Sequence, residues 1–102
     1  MTDRFISPMP LPTPRQRELL TILIEECAEV AQRATKLLRF GRDEIQPGQN
    51  LTNAQRLSAE LGDLMVMVNM CRDAELISFV DMEAAKDIKR AKVVKFLQSE
   101  PD

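Results

Sequence analysis

Residues 24–30 read IEECAEV, and they place Glu25, Glu26 and Glu29 inside an otherwise apolar, helix-forming run from residue 19 to 38. Like charges one turn apart on a helix repel one another. Three acids beside an apolar stripe therefore need a compensating partner. A second pair, Glu60 and Asp63, recurs further along the chain. With no histidine among them, such hard oxygen ligands suit Mg²⁺ or Mn²⁺. The chain contains no histidine. That removes the Ser-His-Asp and Cys-His nucleophile systems, the usual zinc sites and the Glu-x-x-His di-iron bundle. Any chemistry must run on carboxylates, Lys, Arg and a hard metal ion.

The elements that must position these acids are helices. Thr13, Pro14 and Gln16 make a capping box with proline at the first helical position. The apolar stripe that follows runs along Leu20, Leu23, Ile24, Cys27, Val30, Ala31, Ala34 and Leu38, with Gly41 as the stop. Glu26 falls at the edge of that stripe, Glu29 one turn on, and Glu25 further round the same flank. Thr52 and Gln55 open a second helix to about Arg72, after a polar loop over residues 41–51. Its stripe is Leu57, Leu61, Leu64, Met67, Val68 and Cys71. Glu60 lies inside it and Asp63 at its border.

An ionised carboxylate on a core-facing stripe is costly unless it is paired or bound to a metal. Two helices thus each present an i, i+3 acid pair towards the interior, four carboxylates in all. A third helix, opened by Ser78 with Asp81 and ending near Leu97, carries the opposite charge. Met82, Ala85, Val93 and Phe96 define its apolar face, with Lys89 in the middle and Lys92 at the edge. These lysines either neutralise the acids, as a buried Glu60–Lys89 ion pair, or bind the phosphates of a metal-held ligand. Lys36, two turns past Glu29, is a further phosphate-binding candidate.

The whole reads as an all-α chain with no strand-like alternation. Residues 1–13 form an extended arm carrying Pro8, Pro10 and Pro12, residues 14–98 a single helical domain, and residues 99–102 a tail. A short turn of helix is expected around residues 73–78. Length, at 102 residues, allows one domain and not two. Three helices with few aromatics bury little surface alone, so a bundle completed by self-association is expected. A net charge of -2 argues against a nucleic-acid polymer as partner. No apolar run approaches the ~20 residues of a membrane span, and the N-terminus lacks the marks of a signal peptide. Cys27 and Cys71 read as reduced core thiols of a cytoplasmic protein.

Glu25-Glu26-Cys27-Ala28-Glu29 fits E-E-x-x-E, and Glu60-Leu61-Gly62-Asp63 fits E-x-x-D. On successive helices, followed by a lysine-bearing helix, the pair resembles the MazG-like, dimeric dUTPase-like superfamily of all-α nucleoside triphosphate pyrophosphohydrolases. The resemblance covers residues 14–97. It implies a four-helix core completed in a homodimer or homotetramer. It also implies Mg²⁺, with Mn²⁺ as a substitute, held by Glu26, Glu29, Glu60 and Asp63. Glu25 would position or deprotonate the attacking water, or hold an additional metal. The implied reaction cleaves a nucleoside triphosphate between its α- and β-phosphates, giving monophosphate and pyrophosphate. Two departures stand out: thirty residues separate Glu29 from Glu60, towards the long side for the family, and no aromatic is marked as the base-stacking residue among Phe40, Phe79 and Phe96. The alternatives are a non-catalytic helical dimerisation or regulatory module with Glu60 held by Lys89, and a pyrophosphohydrolase of a phosphoribosyl-nucleotide.

Overall fold

The computed structural model describes residues 10–102, and they form three helices and no strand. Most of the proline-rich arm lies outside the described residues. Helix α1 spans Pro14–Phe40. Its start is the expected capping box: Thr13 Oγ1 accepts from Gln16 N at 3.1 Å, and Gln16 Oε1 accepts from Thr13 N at 2.9 Å. Its end is Gly41, at φ 92, a backbone conformation that costs glycine nothing. Helix α2 spans Asn53–Asp73 and opens with the same device, made by Thr52 and Gln55. Helix α3 spans Phe79–Phe96, and Ser78 Oγ accepts from Asp81 N.

The loop between α1 and α2 is folded back on the start of α2. Asn53 organises it, because its Nδ2 donates to Gly41 O at 2.9 Å and to Glu44 Oε1 at 3.1 Å. Its own backbone N donates to Glu44 O, and Ile45 and Thr52 form an isolated antiparallel bridge. Asn53 is only 2% exposed, which leaves the loop anchored by a buried side chain.

The expected short helix at 73–78 is instead a Schellman turn. Leu76 N donates to Cys71 O and Glu75 N to Arg72 O, the paired 6→1 and 5→2 bonds that close a helix end. Glu75 takes the left-handed position, φ 63, normally given to glycine. The turn carries Leu76 and Ile77 onto the core formed by Leu19, Met67 and Cys71.

Helices α1 and α2 pack as an antiparallel hairpin and share the only extensive helix–helix interface among the described residues. The α1 row facing α2 is Leu19, Leu23, Glu26, Val30, Arg33 and Leu37, all buried or half-buried. The matching α2 row is Asn53, Leu57, Glu60, Leu64, Met67 and Cys71. Both rows step by alternating threes and fours, the spacing of a knobs-into-holes seam. Gln16 locks the register, donating from Nε2 to Ala74 O at 2.8 Å.

This arrangement corrects the expected stripe of α1. Leu20, Leu23 and Val30 are half-buried, but Ile24, Cys27, Ala31, Ala34 and Leu38 are exposed because their row is turned about one residue away from α2. Cys27 is accordingly no core thiol in this chain, whereas Cys71 is fully buried. The expected apolar face of α3 is likewise uncovered: only Met82 is half-buried, and Ala85, Val93 and Phe96 are exposed. The described chain measures 62 Å along its longest axis, against ~40 Å for a helix the length of α1. Helix α3 thus extends the hairpin and does not fold back to close a bundle.

Candidate metal centre

The acids sit on the same rows as the core. Glu26 is seven residues past Leu19 on α1, and Glu60 seven residues before Met67 on α2. Two heptad turns that bury leucine and methionine at one level therefore bring carboxylates together at the next. Asp63 follows Glu60 by three residues and leans in from the rim. One carboxylate oxygen each from Glu26, Glu60 and Asp63 lie within 4.8 Å of one another.

The electrostatics match that crowding. Glu26 Oε2 and Glu60 Oε2 are buried and have no hydrogen-bond partner. Loss of solvation, then the charges of Glu29, Asp63 and Glu25, push the Glu26 carboxyl above its ordinary value. The Glu60 carboxyl is pushed up first by the close approach of the Glu29 side chain, then by loss of solvation, and then by the charges of Glu29, Asp63 and Glu26. Glu29 and Asp63 thus act on both Glu26 and Glu60, and Glu25 acts on Glu26. Among the described residues none of them has a cationic partner. The ion pairs present are local and elsewhere, joining Arg42 to Asp43, Arg72 to Asp73, Lys86 to Glu83 and Arg90 to Asp87. Buried carboxylate oxygens of this kind, with no donor and no counter-charge, fit a hard divalent cation.

The selected lysines stand apart from the acids. Lys36 Nζ lies over the Phe40 ring, 5.7 Å from its centre, and Arg39 stacks on the same ring at 4.9 Å. Lys89 and Lys92 are exposed on α3. Lys89 borders a shallow groove with Lys86, Arg90, Val93 and Val94 of its own helix, and no ion pair joins it to Glu60. The aromatic candidates are also remote. Phe40 is fourteen residues from Glu26 on one helix, ~21 Å along the axis, while Phe79 and Phe96 lie on α3 against Arg72 and Lys95. A concavity of about 680 Å³ lies at the α2–α3 turn among residues such as Arg72, Glu75, Ile77 and Asp81, away from the acids.

Two residues on the seam carry a signal that hydrophobic patterning passes over. Arg33 and Arg56 are half-buried, and neither forms an ion pair among the described residues. Arg33 could have been found from its spacing, one heptad past Glu26 on the same row. No family model, curated protein or solved structure matches this chain.

Proposed function

We propose that this chain is a Mg²⁺-dependent nucleoside triphosphate pyrophosphohydrolase with a MazG-like helical domain, cytoplasmic and active as a homodimer or homotetramer. The observation that carries the reading is the meeting of Glu26, Glu60 and Asp63 across two helices, with two buried oxygens lacking any donor. Glu26, Glu29, Glu60 and Asp63 would hold the metal, which supplies charge neutralisation and polarisation of the phosphates.

The chain's own groups account for the rest. Glu25 is exposed and close enough to Glu26 to act on its charge. It would orient a water beside the cluster and take its proton as the α–β phosphoanhydride is cleaved. The exposed row Ile24, Cys27, Ala31, Ala34 and Leu38, together with the uncovered apolar residues of α3, supports a bundle completed by further copies. In that assembly the lysines of α3 would reach a cluster that they do not reach within one chain. The runner-up, a non-catalytic module with Glu60 held by Lys89, lacks its ion pair here. A phosphoribosyl-nucleotide substrate would use the same metal centre.

The test is pyrophosphate release. Purified protein with Mg²⁺ is expected to release pyrophosphate and not orthophosphate from at least one standard, damaged or phosphoribosyl nucleotide in a panel. Glu60→Gln is expected to abolish that release while the far-ultraviolet circular dichroism stays helical. Release of orthophosphate alone, or full activity of the variant, would reject the assignment.

A further inference from the structure

The seam that brings the acids together also carries a cationic end. The register fixed by Gln16 with Ala74, and by Glu26 with Glu60 and Asp63, continues towards the loop. It sets Arg33 of α1 at the level of Arg56 and Leu57 of α2. Arg33 is seven residues past Glu26, and Arg56 four residues before Glu60, which is ~10 Å and ~6 Å along their helices. Two guanidiniums thus follow the carboxylates on the loop side.

Both arginines are half-buried, the depth at which an arginine lays its stem on apolar surface and keeps its guanidinium available to a ligand. Glu29 lies four residues before Arg33, the favoured order for a helical ion pair. Even so, no Glu29–Arg33 bridge forms, nor one between Glu60 and Arg56, and neither guanidinium bonds to another side chain among the described residues. The negative and positive ends of one seam stay separate and uncompensated. A ligand that satisfies both must have metal-binding and guanidinium-binding oxygens in series.

We propose that Arg33 and Arg56 grip the outer phosphates of the substrate, whose polyphosphate runs along the seam from the acids towards the loop. This rests on the metal-dependent reading above. Towards the other end the seam is closed by the buried Leu19, Met67 and Cys71, whereas on the loop side Val30 and Leu57 beside the arginines are only half-buried. Planar guanidiniums bind phosphate through paired N–H bonds. Charge that develops on the departing pyrophosphate would be met by fixed cations on that side.

Calorimetry on the full chain separates the parts, first with Mn²⁺ alone and then with inorganic pyrophosphate added to the Mn²⁺-loaded protein. Arg33→Gln and Arg56→Gln are expected to leave Mn²⁺ affinity within about twofold. Each should weaken pyrophosphate binding by about tenfold to a hundredfold, the scale of lost charge-assisted hydrogen bonds. Arg33→Lys, which keeps the charge and loses the fork, should fall between wild type and Arg33→Gln, and it guards against a folding defect in the glutamine variant. If wild type binds Mn²⁺ and the glutamine variants hold pyrophosphate as tightly as wild type does, the arginine site is overturned and the metal centre stands. If wild type binds no Mn²⁺, the metal reading falls and this inference with it.

Discussion

Glu26 and Glu60 meet across the α1–α2 seam, and each keeps one buried carboxylate oxygen, Oε2, without a hydrogen-bond partner. With Glu29 and Asp63 beside them they form a concentration of negative charge that the metal-free fold must tolerate. Glu60→Gln removes one charge and supplies an N–H donor of nearly the same shape. In chelator-treated protein its melting temperature is expected to rise. Its Mn²⁺ affinity is expected to fall by more than about tenfold, a scale already reached when outer-shell partners of a metal site are lost. A variant that melts lower than wild type without metal, and binds Mn²⁺ equally well, would contradict both expectations.

The same crowding sets an unusual pH dependence. The Glu26 and Glu60 carboxyls are both raised above 4.5 in the folded chain. The folded state therefore holds these protons more tightly than the unfolded state does. Their contribution to stability is complete below the ordinary carboxylate value and is lost as pH climbs through the raised values. Carboxylates held in ion pairs do the reverse, losing their contribution to stability as pH falls. Thermal melts in chelator between about pH 5 and 8 should give a falling midpoint from these two groups. Saturating Mn²⁺ should remove that fall, and Glu60→Gln should flatten it.

Glu75 offers a test of backbone strain away from the acids. It holds the left-handed position of the Schellman turn, φ 63, where a β-carbon costs ~1 kcal/mol or more. Glu75→Gly relieves that cost and loses part of it again to the greater freedom of glycine in the unfolded chain. A net gain of ~0.5–1 kcal/mol is expected in chemical denaturation. Equal or lower stability would show that the Glu75 side chain makes a compensating contribution.

The helix starts were legible because each is encoded within four residues, as in Thr13 to Gln16 and Thr52 to Gln55. The acids were legible because Glu60 interrupts an apolar row, where a carboxylate needs a reason. The facing row of α1 was not legible from hydrophobicity. Two heptad rows run side by side on that helix, and the more apolar one, through Ile24, Cys27 and Ala31, is the one turned away from α2. The row that does face α2 mixes Leu19, Leu23 and Val30 with Glu26 and Arg33, and so looks less like a core. Its charged members belong to the candidate site, which is why patterning passed over Arg33. The Schellman turn was hidden for a simpler reason: glutamate stands where glycine would have announced it.

That second row of α1 gives the sharpest expectation about assembly. Leu20, Ile24, Cys27, Ala31, Ala34 and Leu38 alternate by fours and threes, the spacing of a helix-packing seam, yet Ile24 is 69% and Leu38 84% exposed. The small residues at its centre would let a second backbone approach closely. A row like this, together with a third helix that buries nothing, is an exposed apolar surface of the kind that marks an interaction site. Light scattering on wild type is expected to give a multiple of 11.6 kDa. Ile24→Glu places an unpaired charge in the middle of the contact and is expected to give the single-chain mass. The Cys27 thiol lies one turn away on the same row, and it should react slowly with a thiol reagent in wild type and quickly in Ile24→Glu. A wild type that stays at the single-chain mass, with Cys27 freely reactive, would mean that this row packs on nothing.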